Sequence, residues 1–234
     1  MNKQLKIGLA LGSGSSRGWS HIGVINALAE LGITPTIVCG TSVGSLVGAS
    51  FVSGKLDKLE EWARSLTKLD TARFFDINTS MNGFVNVKKI HSFMNKTVAS
   101  DDSVIEDLDK VYAAVATELE TGREVWLTKG PLGQAVLASM ALPGLFPPIK
   151  INDKWLVDGG LVNPVPVSVC RALGADIVIA VNLNGDIVGK HMKKQKLETT
   201  QDTSVAGKIS QLVKDYTGSL FTDTNEDDDT PALL

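Results

Sequence analysis

Between Ile7 and Val181, short apolar runs of strand length alternate with segments of helical period. Residues 7–11, 36–39 and 177–181 are compact apolar runs. Residues 111–117 and 124–128 read as a hairpin across Thr121-Gly122, and residues 149–151 and 155–157 flank the turn Asn152-Asp153. Ile22, Val24, Ile25, Leu28 and Leu31 recur at helical spacing until Gly32 stops them. Residues 43–53 and 132–140 predict small-residue helices, 55–69 and 87–98 amphipathic ones, and 167–173 a short one. Strands separated by helices predict an α/β chain, three layers deep (αβα), around a mostly parallel central sheet.

This pattern fills residues 1–184, which are expected to form one domain. Residues 78–86 lack a pattern and read as a loop. Residues 185–234 are expected to be a polar linker, an amphipathic helix near 205–220 and an acidic tail at 222–230. The full length of 234 residues is enough for one sizeable core. A formal charge of −3 supplies no basic field, which sets nucleic acid aside as a partner. Cys39 and Cys170 stand far apart in the sequence, without metal-ligand spacing, and two cysteines make no disulfide framework. No metal or cofactor is expected, and a reducing, cytoplasmic compartment is. The run after Lys6 is too short, and too soon broken by Gly12, for a signal peptide. No stretch of about 18 apolar residues occurs, so contact with lipid is expected only at a membrane's inner surface.

Three short segments carry chemistry. Gly40-Thr41-Ser42-Val43-Gly44 lies between a predicted strand and a predicted helix, the context of a nucleophile elbow. Flanking glycines let strand and helix approach, and the serine is offered at a helix N-terminus, where negative charge is favoured. A helix-capping serine in a tight turn has the same pattern. Gly12-Ser13-Gly14-Ser15-Ser16-Arg17-Gly18, also between strand and helix, can turn successive N–H groups inward as an anion nest. A dinucleotide fingerprint fails there on glycine spacing and on the lack of an acid after the second strand, and a phosphate-binding loop fails for want of its lysine. A plain turn remains open. Asp158-Gly159-Gly160 follows the apolar strand Trp155-Leu156-Val157, and a strand's C-terminal edge is where open α/β sheets place their sites.

Taken together and in this order, the three segments resemble the patatin-like phospholipase family. Residues 11–24, Ala138-Ser139 with Pro143, Phe146 and Pro147, and Asn163-Pro164-Val165-Pro166 match its flanking segments. The resemblance covers residues 5–183 and is nearest to the stand-alone bacterial members of the RssA type. It implies a patatin-like fold and hydrolysis of lipid acyl esters by a serine–aspartate dyad without histidine. Ser42 would be the nucleophile and Asp158 the base. The backbone at Ser13, Gly14 and Ser15 would form the oxyanion hole, braced by Arg17, with Gly40, Gly44, Gly159 and Gly160 giving room. The implied partner is a lipid or other acyl ester, and nothing in the pattern fixes an oligomeric state.

Two features depart from the family. Ser13 and Ser15 stand where glycine is usual, tolerable if neither position needs positive φ. Relatives also continue further, which marks this chain as truncated or unusually short. An aspartate's ordinary pKa of about 3.9 is low for a base near neutrality, and burial would raise it. Two other readings stay open. His191 follows Ser42 and Asp158 in the order of an α/β-hydrolase triad; His21 and His91 read as packing or surface residues of helices. The altered glycine loop also suits a catalytically poor, lipid-binding regulator. Residues 145–148 and 83–85 are apolar loops that suit an acyl channel, a membrane contact or the core.

Overall fold

The computed structural model describes residues 5–67 and 87–185. His191, the loop at 78–86 with Gly83, Phe84 and Val85, and the expected C-terminal helix and acidic tail lie outside them. The chain divides into two compact units, residues 1–182 and 183–233, and every element below belongs to the first.

Seven strands and six α-helices are described. In chain order they are β1 (Ile7–Leu11), α1 (Ser20–Glu30), β2 (Ile37–Thr41), α2 (Val43–Val52), α3 (Leu56–Ser65) and α4 (Val87–Thr97). There follow β3 (Val111–Glu118), β4 (Glu124–Leu127), α5 (Leu132–Ser139), β5 (Ile149–Ile151), β6 (Lys154–Asp158), α6 (Val167–Ala172) and β7 (Ile177–Val181). Helix α1 stops as its sequence predicts: Gly32 takes φ 70°, and the Ile33 N–H reaches back to Leu28 O at 2.8 Å. The β5–β6 turn needs two left-handed residues, and Asn152 and Asp153 take φ 48° and 62° there.

The sheet runs β5-β6-β3-β2-β1-β7, with β4 also paired to β3. Strands β1, β2, β3 and β7 are mutually parallel, and β4 and β6 pair with β3 antiparallel. Period-two alternation sorts the side chains. Leu9, Leu11, Val38, Tyr112, Ala114, Ala116 and Leu156 face a core shared with α1 to α5. Ala10, Ile37, Cys39, Ala113 and Val115 face the other way, against Val169 and Cys170 of α6. This is the expected α/β architecture with helices on both faces. The fold also brings together the two cysteines that the sequence separates: both are free and buried, and hydrogen bonding to Cys170 together with burial pushes the Cys39 thiol up.

The direction of β6 corrects the argument for Asp158. The rule about C-terminal edges concerns parallel strands, and β6 runs against them. Strand β6 begins beyond the edge where β2 ends, since the Leu119 N–H bonds to Trp155 O at 2.8 Å, and then returns toward it. Its last residue, Asp158, pairs with Ala116, one step from the Val115 that pairs with Thr41. Register, not the edge rule, sets the acid beside Ser42.

Candidate active site

Ser42 joins β2 directly to α2, with φ 56° and ψ −127°. A non-glycine residue persists in such a conformation only when its surroundings hold it there. Strand and helix converge so tightly that a Cβ on Gly40 would lie 2.4 Å from Gly44 O, and one on Gly44 2.2 Å from Leu11 O. The Ser42 N–H donates to Ser139 Oγ at 2.9 Å, and Ser139 Oγ donates onward to Val115 O at 2.6 Å. The Ser42 carbonyl accepts from Ser45 Oγ at 2.6 Å.

Ser42 Oγ donates to Asp158 Oδ2 at 2.6 Å, with no group between them. The other carboxylate oxygen, Oδ1, accepts from the Gly160 N–H at 2.7 Å. Asp158 is only 2 % exposed. Burial raises its pKa to about 6, against the opposing pull of the hydrogen bonds from Ser42 and Gly160. The main chain of Asp158 is held as well: its N–H donates to Ala141 O at 3.0 Å, and its carbonyl accepts from Thr117 Oγ1 at 2.8 Å. Gly159 passes so close to β3 that a Cβ there would lie 2.1 Å from Val115 O.

The glycine-rich loop wraps this pair. The loop is tightly packed at both ends: a Cβ at Gly12 would lie 2.7 Å from Val181 O of β7, and one at Gly18 2.2 Å from Val43 Cγ1, at the start of α2. Ser13 is fully buried and packs against Gly160, beside the acid. The Ser13 N–H donates to Pro164 O at 2.8 Å, so it is already engaged. The Gly14 and Ser15 N–H groups have no hydrogen-bond acceptor among the described residues. Arg17 is exposed, and its own N–H closes the turn onto Gly14 O at 3.2 Å. Of the two serines that stand where glycine is usual, Ser15 does take positive φ, 52°, while Gly14 is extended at φ 169°.

The sequence names His21 and Ser139 but does not reveal their supporting roles. His21 is buried, with Nε2–H donating to Gly12 O at 2.8 Å and Nδ1 without a partner among the described residues. Burial holds its pKa below the ordinary histidine value, so the ring is neutral. It anchors the start of the glycine loop and stands outside the Ser42–Asp158 contact. Only its place one turn after a glycine-rich loop could have flagged it. Ser139 was visible as part of Ala138-Ser139, but a serine in a helix of small residues gives no sign of what it bonds. Among the described residues, no group of three or more His, Cys, Asp or Glu could hold a metal ion. In the 145–148 segment, Leu145 and Phe146 are half-buried and Pro147 and Pro148 exposed.

A serine on a strained elbow, held against a buried carboxylate under a glycine-rich loop, defines a class of α/β protein. Its sequence profile, that of the patatin-like phospholipases, matches residues 9–171, and the chain belongs to that family. An uncharacterised NTE family protein of Mycobacterium bovis is 40% identical over 184 residues, covering 79% of this chain and 51% of its own length. Human patatin-like phospholipase domain-containing protein 6 is 34% identical over 189 residues, 76% of this chain and 13% of that protein. The chain thus spans about half the length of the mycobacterial relative and a small part of the human one.

Proposed function

We propose that the protein is a serine hydrolase of lipid acyl esters, with Ser42 as nucleophile and Asp158 as its only side-chain base. The observation that carries this reading is the direct 2.6 Å contact between Ser42 Oγ and a carboxylate whose pKa is raised to about 6. A base of that strength is still ionised at neutral pH yet is a far better proton acceptor than an ordinary aspartate. Family membership and the phospholipase names of relatives support lipid as the ester class.

In the first half-reaction Ser42 Oγ attacks the ester carbonyl carbon as its proton passes to Asp158 Oδ2. The carbonyl π bond opens to an oxyanion, which the Gly14 and Ser15 N–H groups and the N-terminus of α2 stabilise. Collapse expels the alkoxide, which takes the proton back from Asp158 and leaves acyl-Ser42. In the second half, water gives its proton to Asp158 and attacks the acyl carbon. The intermediate releases the carboxylic acid as Ser42 recovers the proton. Arg17 closes the loop at Gly14, and Gly40, Gly44, Gly159 and Gly160 allow the approach of the three segments.

The test is turnover of a short acyl ester together with labelling by a fluorophosphonate. Wild type should turn over and be labelled at Ser42. Ser42→Ala should lose both, and Asp158→Asn should lose at least about 10³-fold in kcat, the scale of a missing base and its charge. Near wild-type turnover in a folded Ser42→Ala protein would remove the assignment. His191→Ala should leave kcat unchanged; a loss matching that of Asp158→Asn would replace the dyad by a triad.

A further inference from the structure

The end of helix α5 grips both members of the pair by their backbones. Ser139, its last residue, accepts the Ser42 N–H at 2.9 Å, and Ala141, two residues on, accepts the Asp158 N–H at 3.0 Å. Ser139 is fully buried, and its hydroxyl proton is fixed on Val115 O at 2.6 Å. With its hydrogen directed away, Oγ presents a lone pair to Ser42, so the hydroxyl is oriented for this one task. The same Val115 carbonyl lies against Gly159, the residue after the acid. Val115 is therefore the common floor of both halves of the site.

From this arrangement we infer that Ser139 is a positioning residue. Its hydroxyl holds the Ser42 backbone in its left-handed conformation and so keeps Oγ on Asp158. The inference rests on the Ser42–Asp158 reading and adds a residue to it. Ser42 lies in the positive-φ region without being glycine, and its N–H, facing a buried site, has Ser139 Oγ as its partner. Without that acceptor the peptide between Thr41 and Ser42 is free to rotate toward a commoner conformation. Oγ then leaves the line to Oδ2. Substrate still binds, because Ser139 is buried behind the elbow, so the loss falls on the chemical step.

The experiment compares Ser139→Ala with Ala135→Gly, which lies buried in the same helix, has no side-chain polar atom with which to bond Ser42 or Asp158, and weakens the helix. Each protein is assayed for kcat and KM on a short ester, for the rate constant of fluorophosphonate labelling, and for the number of labelled serines per chain. Ser139→Ala should keep full labelling stoichiometry and an unchanged KM, and lose at least about tenfold in both kcat and labelling rate, the scale of a displaced reacting atom. Ala135→Gly should keep wild-type kcat per labelled site. If Ser139→Ala loses only labelled fraction while each labelled site reacts at the wild-type rate, its role is structural and the inference is overturned.

Should Ser139→Ala not fold, Ser139→Cys decides. Its sulfur is bulkier than the hydroxyl and a weak acceptor, so the hydrogen bond to the Ser42 N–H is lost, and the expected loss in kcat is again at least about tenfold; a smaller one overturns the inference. Failure of the underlying dyad reading looks different, because Ser42→Ala or Asp158→Asn would then remain active whatever Ser139 does.

Discussion

Ser15 and Ser42 are both non-glycine residues at positive φ, 52° and 56°, but their constraints differ. Under the proposed mechanism Ser42 must carry a hydroxyl, so its strain is the cost of presenting a nucleophile at the elbow. Ser15 needs no side chain for the role proposed, since its N–H is the donor. Ser15→Gly should therefore keep or raise kcat, with stability moving by less than about 1 kcal/mol because relief of strain offsets glycine's extra backbone entropy. Ser15→Val, whose branched side chain resists positive φ, should lose at least about 10²-fold in kcat, the value of one oxyanion donor. Steady-state kinetics on the two variants, with circular dichroism to confirm folding, checks both; equal activity would remove Ser15 from the oxyanion hole. Asp158 adds a pH dependence. With its pKa near 6, kcat/KM should fall about tenfold per pH unit below that point and level off above it, because only the ionised carboxylate accepts the Ser42 proton. A pH–rate profile locates the inflection, and one near 4 would mean that burial does not tune the base.

The elbow is held by how closely β2, α2 and β1 converge, and a pair of glycines separates that demand from ordinary helix preference. Gly23, inside α1, is exposed, and an added Cβ would meet nothing within 4 Å. Gly23→Ala should stabilise the protein by about 0.5–1 kcal/mol through helix propensity alone. Gly44→Ala, on α2, places a methyl 2.2 Å from Leu11 O and 2.6 Å from Gly12 O, so the same substitution should cost at least about 3 kcal/mol or prevent folding. Urea unfolding of the two variants distinguishes them, and a Gly44→Ala protein of wild-type stability would mean the convergence is slack. Much of this element layer is legible in the sequence. Gly32 ends α1, Asn152-Asp153 turns β5 into β6, and Gly40 and Gly44 bracket Ser42. These signals are local: each is a backbone conformation or a close approach that few residue types permit. The direction of β6 is not local, because an apolar run looks the same whichever way its neighbour runs. Likeness of motif singles out Asp158, and the structure sets it against Ser42, but the edge-of-sheet rationale assumes a parallel strand and β6 is antiparallel. Ser139, His21 and the meeting of Cys39 with Cys170 were hidden for a related reason: each depends on segments that approach only once the sheet has formed.

For the molecule as a whole, the raised pKa of Asp158 opposes stability. A carboxyl that binds its proton more tightly folded than unfolded favours the folded state at low pH and loses that advantage as pH rises. The unfolded value is near 4 and the folded value about 6. Between them the folded chain holds the extra proton, so stability falls with rising pH across this window and stays at its reduced level above it. Two pH units of difference correspond to about 3 kcal/mol, a sizeable part of the 5–15 kcal/mol typical of a domain. Asn in place of Asp158 removes the titration and keeps the hydrogen bonds, since its amide oxygen can accept from the Gly160 N–H and its NH₂ can face Ser42 Oγ. Asp158→Asn should therefore be inactive and yet more stable than wild type by about 2–3 kcal/mol at pH 8, with the two proteins converging near pH 4. Urea unfolding at both pH values measures the difference. A gap between wild type and variant that does not change with pH would mean that Asp158 has an ordinary pKa in the folded chain.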